Sequence, residues 1–410
     1  MKEKKKMSLA MQIFIALVLA IIAGLLMQSH ASFAESYIKP FGTIFLNLIK
    51  FIVVPIVLFS IMCGIISMSD IKKVGSIGLK TVVFYLCTTA FAVTIGLTGG
   101  NLFKGLFPVV ATTDLSYEAA EATSFMDTLG NIFPSNFVSP MVEANMLQVI
   151  VMAIILGFAI ILVGEKNVRV VNAFNDLNEI FMKCMEMILK LSPIGVFCLL
   201  CPVIAANGPA IIGSLAMVLL AAYICYVVHA VVVYSLTVGT LGGMSPLKFF
   251  KGMLPAIMFA FSSASSVGTL PINLECTEKL GAKREIASFV LPLGATINMD
   301  GTAIYQGVCA IFIASCYGIH LTLSQMLTIV LTATLASIGT AGVPGAGMVM
   351  LAMVLTSVGL PVDGIALVAG VDRIFDMGRT TVNITGDAAC TMVVSNLEAK
   401  KDARRAKAGK

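Results

Sequence analysis

Apolar residues run almost unbroken through 9–28, 40–67, 77–103, 144–164, 178–203 and 211–241. A helix needs roughly 20 such residues to cross the hydrocarbon core of a bilayer. Each stretch therefore predicts one membrane-spanning helix, the second and third long enough to tilt or to extend past the core. Beyond residue 245 the pattern changes. Segment 252–274 is interrupted by FSSASSVGTLP and segment 324–359 by SIGTAGVPGAG. Segment 286–316 carries Asn298 and Asp300, and segment 362–396 carries Asp372, Arg373, Asp376, Arg379, Asn383 and Asp387. If every late segment crosses once, the chain has ten spans. If the two Gly/Ser/Pro-interrupted segments are re-entrant hairpins, it has eight. Both totals are even, so loop charges cannot separate them. The interruptions do: backbone leaves the helix at membrane depth only where protein buries it or a cavity receives it, and paired broken segments mark a transporter site. The expectation is an all-α polytopic membrane protein with eight transmembrane helices plus two re-entrant helical hairpins.

Composition agrees with that pattern. The 410 residues are 58% hydrophobic and 12% charged, about half the charge of a soluble domain. The net charge of +5 sits at the ends and in short loops, so it signals no nucleic-acid partner. MKEKKK opens the chain and KKDARRAKAGK closes it; Lys72, Lys73 and Lys80, Lys166 and Arg169, and Lys248 and Lys251 fall in alternate loops. Segment 104–143 instead carries Asp114, Glu118, Glu121, Asp127 and Glu143 against Lys104. The positive-inside rule puts both termini and the basic tail 397–410 in the cytoplasm, makes 104–143 an external loop, and places the protein in the plasma (inner) membrane. Leu9 to Met27 is too long for a signal peptide and reads as the first span. The ten cysteines are mostly in apolar stretches and read as small filler, the Cys198-Leu-Leu-Cys201 spacing included. His30, His229 and His320 form no pattern.

Ionisable groups inside a membrane are costly and mark functional pathways. On one helix, Asp372, Asp376, Arg379, Asn383 and Asp387 follow spacings of three and four and share a face. Such a stripe is either an intrahelical ion-pair ladder or a binding surface. A zwitterionic substrate needs an anion for its ammonium, which Asp376 offers. It needs donors for its carboxylates, which the planar fork of Arg379 and the hydroxyls of Thr302 and Thr380 offer. The serines 262, 263, 265 and 266 and the glycine-rich run Gly342 to Gly347 add backbone N–H groups at helix ends. Asp300, Asp387, Asn298 and Asn383 are hard oxygen ligands that suit sodium, with protonation of a buried aspartate as the competing reading. Thr296–Thr302 (TINMDGT) and Thr381–Asp387 (TVNITGD) also form a weak internal repeat, Asn298 in register with Asn383. No HExxH, GxSxG or P-loop is present, so the chain reads as no enzyme and no ATP-driven pump.

NMDGT (Asn298 to Thr302), SSASSVGTLP, AGVPGAG and DMGRTTVNITGD (Asp376 to Asp387), with KFIVVPIV, ANMLQVIV and KLSPIGVF earlier, resemble the dicarboxylate/amino acid:cation symporter family over essentially the whole chain. The resemblance implies a glutamate-transporter fold with inverted repeats, assembled as a homotrimer. Spans 1, 2, 4 and 5 (8–70 and 144–203) would form a scaffold. Residues 71–103 and 211–396, with both hairpins, would form a mobile domain that moves like an elevator. An acidic amino acid would be co-transported with sodium. Arg379 and Thr302 would hold the side-chain carboxylate and Asp376 the α-amino group. Ser266, Thr380 and Asn383 would hold the α-carboxylate end, beside Gly347. One sodium would use Gly294, Asn298, Asn383 and Asp387. A second would use Thr296, Met299, Ser337, Ile338 and Thr340. A third would use Tyr85, Thr88, Thr89, Asn298 and Asp300, on the shorter match FYLCTTAFAV. Relatives carry a second arginine where this chain has Ala264 or Met377, which leaves Arg373 as the candidate to replace it. Relatives that move plain C4-dicarboxylates tend to lack the aspartate matching Asp376. The alternative cargo is therefore a C4-dicarboxylate, with sodium or protons as the coupled ion.

Overall fold

The computed structural model describes residues 9–67, 76–107, 133–143, 145–164, 168–208, 210–338 and 346–408. The described chain is helical, with no strand among the described residues. Helices α1 (Leu9–Leu26) and α2 (Lys39–Ser67) are bent against each other by 74° at Met27, with short helical turns instead of a loop between them. After α3 (Ser76–Phe103) and α4 (Met146–Gly164), the predicted fifth span divides. It becomes α5 (Val168–Leu189) and α6 (Ser192–Asn207), crossing at 51°. Pro193 stands in the first turn of α6. It lacks an N–H, so the ladder of α5 cannot continue through it. The sequence reading of 178–203 as one straight span is corrected accordingly. Helix α7 (Ala210–His229) continues through a π-helical turn (Ala230–Tyr234) into Ser235–Thr240.

Helices α8 (Pro246–Ser263) and α9 (Ser266–Lys279) fold back on each other across two residues. Ala264 takes the left-handed conformation there (φ 51°, ψ 41°), and Ser265 caps α9 by accepting the N–H of Gly268 at 3.1 Å. A left-handed alanine costs about 1 kcal/mol, and residual backbone strain of this kind gathers at working sites. Next come α10 (Arg284–Ile297) and α11 (Asp300–Cys316), separated by the unwound pair Asn298–Met299. The interrupted segment after them gives α12 (Leu323–Ala336), opened by a Thr322/Gln325 capping box, and α13 (Ala346–Ser357), which pack on each other. A short α14 (Ile365–Ala369) leads to α15 (Asp372–Ala408), unbroken over 37 residues.

Neighbour relations fall into two groups. Helix α1 packs on α6, and α2 on α4, α5 and α6. Helix α3 packs on α7, α11 and α12, while α15 packs on α8, α9, α10 and α11. The groups meet where α13 touches α2 and α4 and where α14 touches α6. Every residue of α11 is buried, whereas Leu26, Phe51, Phe91, Leu102, Leu162, Leu236 and Met258 stand on the outer surface. An apolar exterior around a polar-containing interior inverts the arrangement of a soluble protein and suits a lipid solvent. Among the described residues, Ser76–Leu106, Gly213–Thr240 and Arg284–Cys316 are each long and apolar enough to cross a membrane, and the two bent pairs raise that number to five. Gln148–Val163, Leu323–Ala336 and Gly347–Ser357 are shorter apolar helices. All ten cysteines are free, Cys198 and Cys201 included.

Helices α3 and α11 approach closely because small residues meet. A Cβ on Gly96 would press on the backbone of Ile304, and one on Gly307 would press on the backbone of Gly96 and Leu97. Where lipid removes the hydrophobic gain of association, such contact supplies the packing energy. Gly96→Leu is expected to destabilise the protein by about 1–3 kcal/mol, read as a lower unfolding midpoint in detergent, with Leu102→Ala on the exposed face as the unchanged control.

Candidate substrate and cation site

The stripe on α15 is real: Asp372, Asp376, Arg379, Asn383 and Asp387 are all buried. It carries two different kinds of charge. Near its N-terminal end, Arg379 donates from Nη1 and Nη2 to the two oxygens of Asp372 at 2.9 and 3.2 Å, and from Nε to Asp376 Oδ1 at 2.8 Å. Three of its five N–H groups are thereby used. The guanidinium also lies over the Tyr305 ring, 4.8 Å from its centroid. Gly347, in the first turn of α13, lies against the same guanidinium so closely that a Cβ would overlap it. The ion-pair ladder weighed from sequence is present, and it fixes the direction of the guanidinium fork. Asp372, which the sequence placed on the stripe without a role, is the bidentate partner of Arg379.

Arg373 reaches toward the α8–α9 tip. Its Nη2 donates to the Ser263 carbonyl at 3.1 Å, and its Nη1 lies 3.8 Å from Asp376 Oδ2. Ala264 and Met377 can do neither. Arg373 therefore supplies the second cation beside Asp376 from a different position on the helix. Asp372, Asp376, Arg373 and Arg379 sum to zero formal charge. Ser266 is buried at the start of α9, and Thr302 and Thr380 are buried on α11 and α15. The amide of Asn383 accepts the Gly301 N–H at 2.7 Å through Oδ1 and directs Nδ2 at Met299 Sδ (3.3 Å) and Thr302 Oγ1 (3.5 Å).

The remaining carboxylates have no such balance. Asp387 Oδ1 accepts from Asn298 Nδ2 at 2.9 Å, and Gly294 and the Tyr85 hydroxyl close on it. Asp300 Oδ1 accepts from Thr89 at 2.7 Å and from Thr88 at 3.3 Å. Its Oδ2 accepts from the Tyr234 hydroxyl at 2.8 Å and faces His229 Nε2 at 3.2 Å. No lysine or arginine among the described residues pairs with either carboxylate. Asn298 Nδ2 also donates to the Asn383 carbonyl at 2.9 Å, so the asparagines of the internal repeat meet. Buried Asn298 Oδ1 has no partner. An isolated buried carboxylate is strongly disfavoured, and an orphaned amide oxygen adds an unfilled acceptor. A cation bound through oxygen or a proton on the carboxylate would answer the first, and a cation the second. Among the described residues no cluster of three or more His, Cys, Asp or Glu is arranged around a metal, so hydroxyls, amides and carbonyls must complete any such shell.

Of the second expected sodium set, four residues lie among the described ones. Met299 Sδ faces Asn383 and Thr302, but Thr296 and Ser337 spend their hydroxyls on carbonyls of their own helices, Leu293 and Thr334. Ile338 is buried, and Thr340 lies outside the described residues. Two residues that sequence reasoning passed over, His229 and Tyr234, stand on Asp300. A histidine inside an apolar span was the available signal for the first.

Fixed charges on one continuous helix, met by an unwound helix pair and by hairpins within an apolar envelope, define a secondary membrane carrier. The profile of the Sodium:dicarboxylate symporter family matches residues 9–397, and the chain belongs to that family. It is 36% identical to the "Proton/glutamate-aspartate symporter" of Escherichia coli (strain K12), over 98% of this chain and 95% of that protein. It is 34% identical to the "Proton/sodium-glutamate symport protein" of Geobacillus stearothermophilus, over 98% and 97%. The "C4-dicarboxylate transport protein" of Rhizobium leguminosarum is 32% identical, over 98% and 92%.

Breaking a buried ion pair on one side leaves an uncompensated charge and destabilises by about 3–5 kcal/mol. Asp372→Asn is expected to lower the unfolding midpoint in detergent accordingly. The double variant Asp372→Asn with Arg379→Gln is expected to lose less than the sum of the two single changes, because the shared charge is then gone from both sides.

Proposed function

We propose that the protein is a sodium-coupled symporter of an acidic amino acid, aspartate or glutamate, across the inner membrane. The observation that carries the cargo is the convergence of two carboxylates, Asp372 and Asp376, on Arg379. A plain dicarboxylate would bring two more negative charges to that pair. An acidic amino acid brings an ammonium that Asp376 can hold, while the unused N–H groups of Arg379 take its side-chain carboxylate. Thr302 would share the side-chain carboxylate with Arg379, and Ser266, Thr380 and Asn383 would hold the α-carboxylate. The observation that carries the coupling is the pair of buried carboxylates, Asp300 and Asp387, with no lysine or arginine partner among the described residues. The glutamate symport names of the relatives support the cargo, and the proton/sodium names of two of them support sodium as a coupled ion.

In this reading Tyr85, Thr88, Thr89, Asn298 and Asp300 take one sodium, and Gly294, Asn298, Asn383 and Asp387 another. Thr296, Met299, Ser337, Ile338 and Thr340 would gather a third only after α12 and α13 rearrange. The two packing groups support a division into a scaffold (8–70 and 144–203) and a moving domain (71–103 and 211–396) that travels as an elevator. The eight-span, two-hairpin topology, the homotrimer and the cytoplasmic termini belong to the same proposal. A C4-dicarboxylate symporter is the second reading, favoured by relatives of that name at 30–33% identity.

Reconstitution in liposomes tests it. Labelled aspartate uptake is expected to require an inward sodium gradient, to resist excess succinate and serine, and to fall at least about a hundredfold in Arg379→Ala, which removes a charge-assisted, bidentate contact. Uptake driven by a proton gradient without sodium would overturn the coupling. Inhibition by succinate equal to that by unlabelled aspartate would transfer the assignment to the second reading.

A further inference from the structure

Asp300 draws its Oδ2 partners from two residues five apart, His229 and Tyr234. On a regular α-helix, positions five apart point about 140° away from each other. They converge here because residues Ala230–Tyr234 form a π-helical turn, in which the bond pattern i to i+5 brings them onto one face. Their rings pack edge to face, with centroids 4.8 Å apart at 86°. Both side chains are fully buried. A π-helical turn is energetically poorer than the α-helix on either side of it, and it recurs at functional positions. Its product in this fold is two donors on one carboxylate oxygen.

The surroundings give that pair a direction. Tyr234 Oη also lies 3.1 Å from the Val382 carbonyl on α15. A Cβ on Gly386 would collide with both the Tyr234 hydroxyl and the Asn298 amide. The Tyr234 hydroxyl thus sits between Asp300 and the turn of α15 that carries Asp387. With Oδ2 occupied by two donors, Oδ1 is the oxygen left to the hydroxyls of Thr88 and Thr89. The Thr88 and Thr89 hydroxyls can rotate to present lone pairs, whereas on Oδ2 the donors are a ring N–H and a phenol O–H whose hydrogen the Val382 carbonyl also meets. Toward a charged Asp300, His229 acts as a donor through Nε2, and its Nδ1 has no partner.

We propose that His229 and Tyr234 are positioning residues of the Asp300 cation site. They fix the rotation of the carboxylate so that Oδ1 faces the sodium ion, and they touch the ion through no atom of their own. The inference rests on the reading of Asp300 as a sodium ligand. It accounts for the π-helical turn, for a histidine in an otherwise apolar helix, and for the asymmetry of the two carboxylate oxygens.

The test is equilibrium sodium binding without amino acid. Purified protein in detergent is titrated with sodium chloride at constant ionic strength, with choline as the replacement, and the rise in unfolding midpoint gives a half-saturating concentration. Loss of one hydrogen bond to a charged group predicts an increase of about tenfold in that concentration for Tyr234→Phe and for His229→Leu. His229→Gln, which keeps an N–H donor, is expected to recover most of the change, as a filler of the same space would not. Aspartate affinity at saturating sodium is expected to stay within about twofold of the parent, since a tenfold change would need about 1.4 kcal/mol at the substrate itself. Tyr234→Phe removes a single oxygen, so it carries the test if His229→Leu does not fold. Half-saturation in Tyr234→Phe and His229→Leu within about twofold of the parent would overturn the proposal, as would a shift in His229→Leu that His229→Gln leaves uncorrected. A parent protein whose midpoint ignores sodium would instead remove the sodium reading of Asp300, and this inference with it.

Discussion

Two buried carboxylates with no lysine or arginine partner among the described residues, Asp300 and Asp387, are the constraint around which this fold is arranged. A charge in that position is tolerated only if donors surround it, and otherwise a cation or a proton must neutralise it. The donors come from several elements: Thr88 and Thr89 on α3, Tyr234 and His229 on α7 and its π-helical turn, and Asn298 between α10 and α11. Bringing those elements together demands the close contact of α3 with α11 through Gly96 and Gly307. It also explains why α11, which starts at Asp300, is buried on every side: an aspartate in the first turn benefits from the helix dipole, and the rest of that helix fills the centre.

The second charge cluster is built on the opposite logic. Asp372, Asp376, Arg373 and Arg379 balance among themselves in formal charge. Asn383 stands between the two clusters on the same face of α15. Its carbonyl oxygen in the backbone accepts from Asn298, which also holds Asp387. Its side chain holds the Gly301 N–H and faces Thr302. The unwound pair Asn298–Met299 is therefore linked to Thr302 through one residue.

Much of this was legible in the chain. Periodicity alone put Asp372, Asp376, Arg379, Asn383 and Asp387 on one face, because a long unbroken helix obeys its own spacing. Gly, Ser and Pro marked the places where backbone leaves the helix, and the internal repeat pointed to Asn298 and Asn383, which touch. The unread parts share a cause: they depend on departures from ideal helix geometry or on side-chain direction. The π-helical turn hid the pairing of His229 with Tyr234, since spacing of five means divergence on an α-helix. The break before Pro193 was submerged in an apolar run. Arg373 reads as neighbour to Arg379 in sequence, yet it leaves the stripe and meets the α8–α9 tip.

The division of labour between broken and unbroken helices follows from the solvent. In lipid an unbroken helix satisfies its own backbone and can offer a ligand only side chains. An interrupted one exposes backbone N–H and C=O groups at a depth where nothing else will satisfy them. Helix α15 accordingly carries every charge of the stripe. The interruptions at Asn298–Met299 and at Ala264–Ser265 bring backbone and small side chains to it. In the site as it stands, those backbone groups are met by α15 itself: Asn383 takes the Gly301 N–H, and Arg373 takes the Ser263 carbonyl. A solute that binds there must replace such contacts with ones at least as good, which favours a molecule bearing both an ammonium and carboxylates over one bearing either alone.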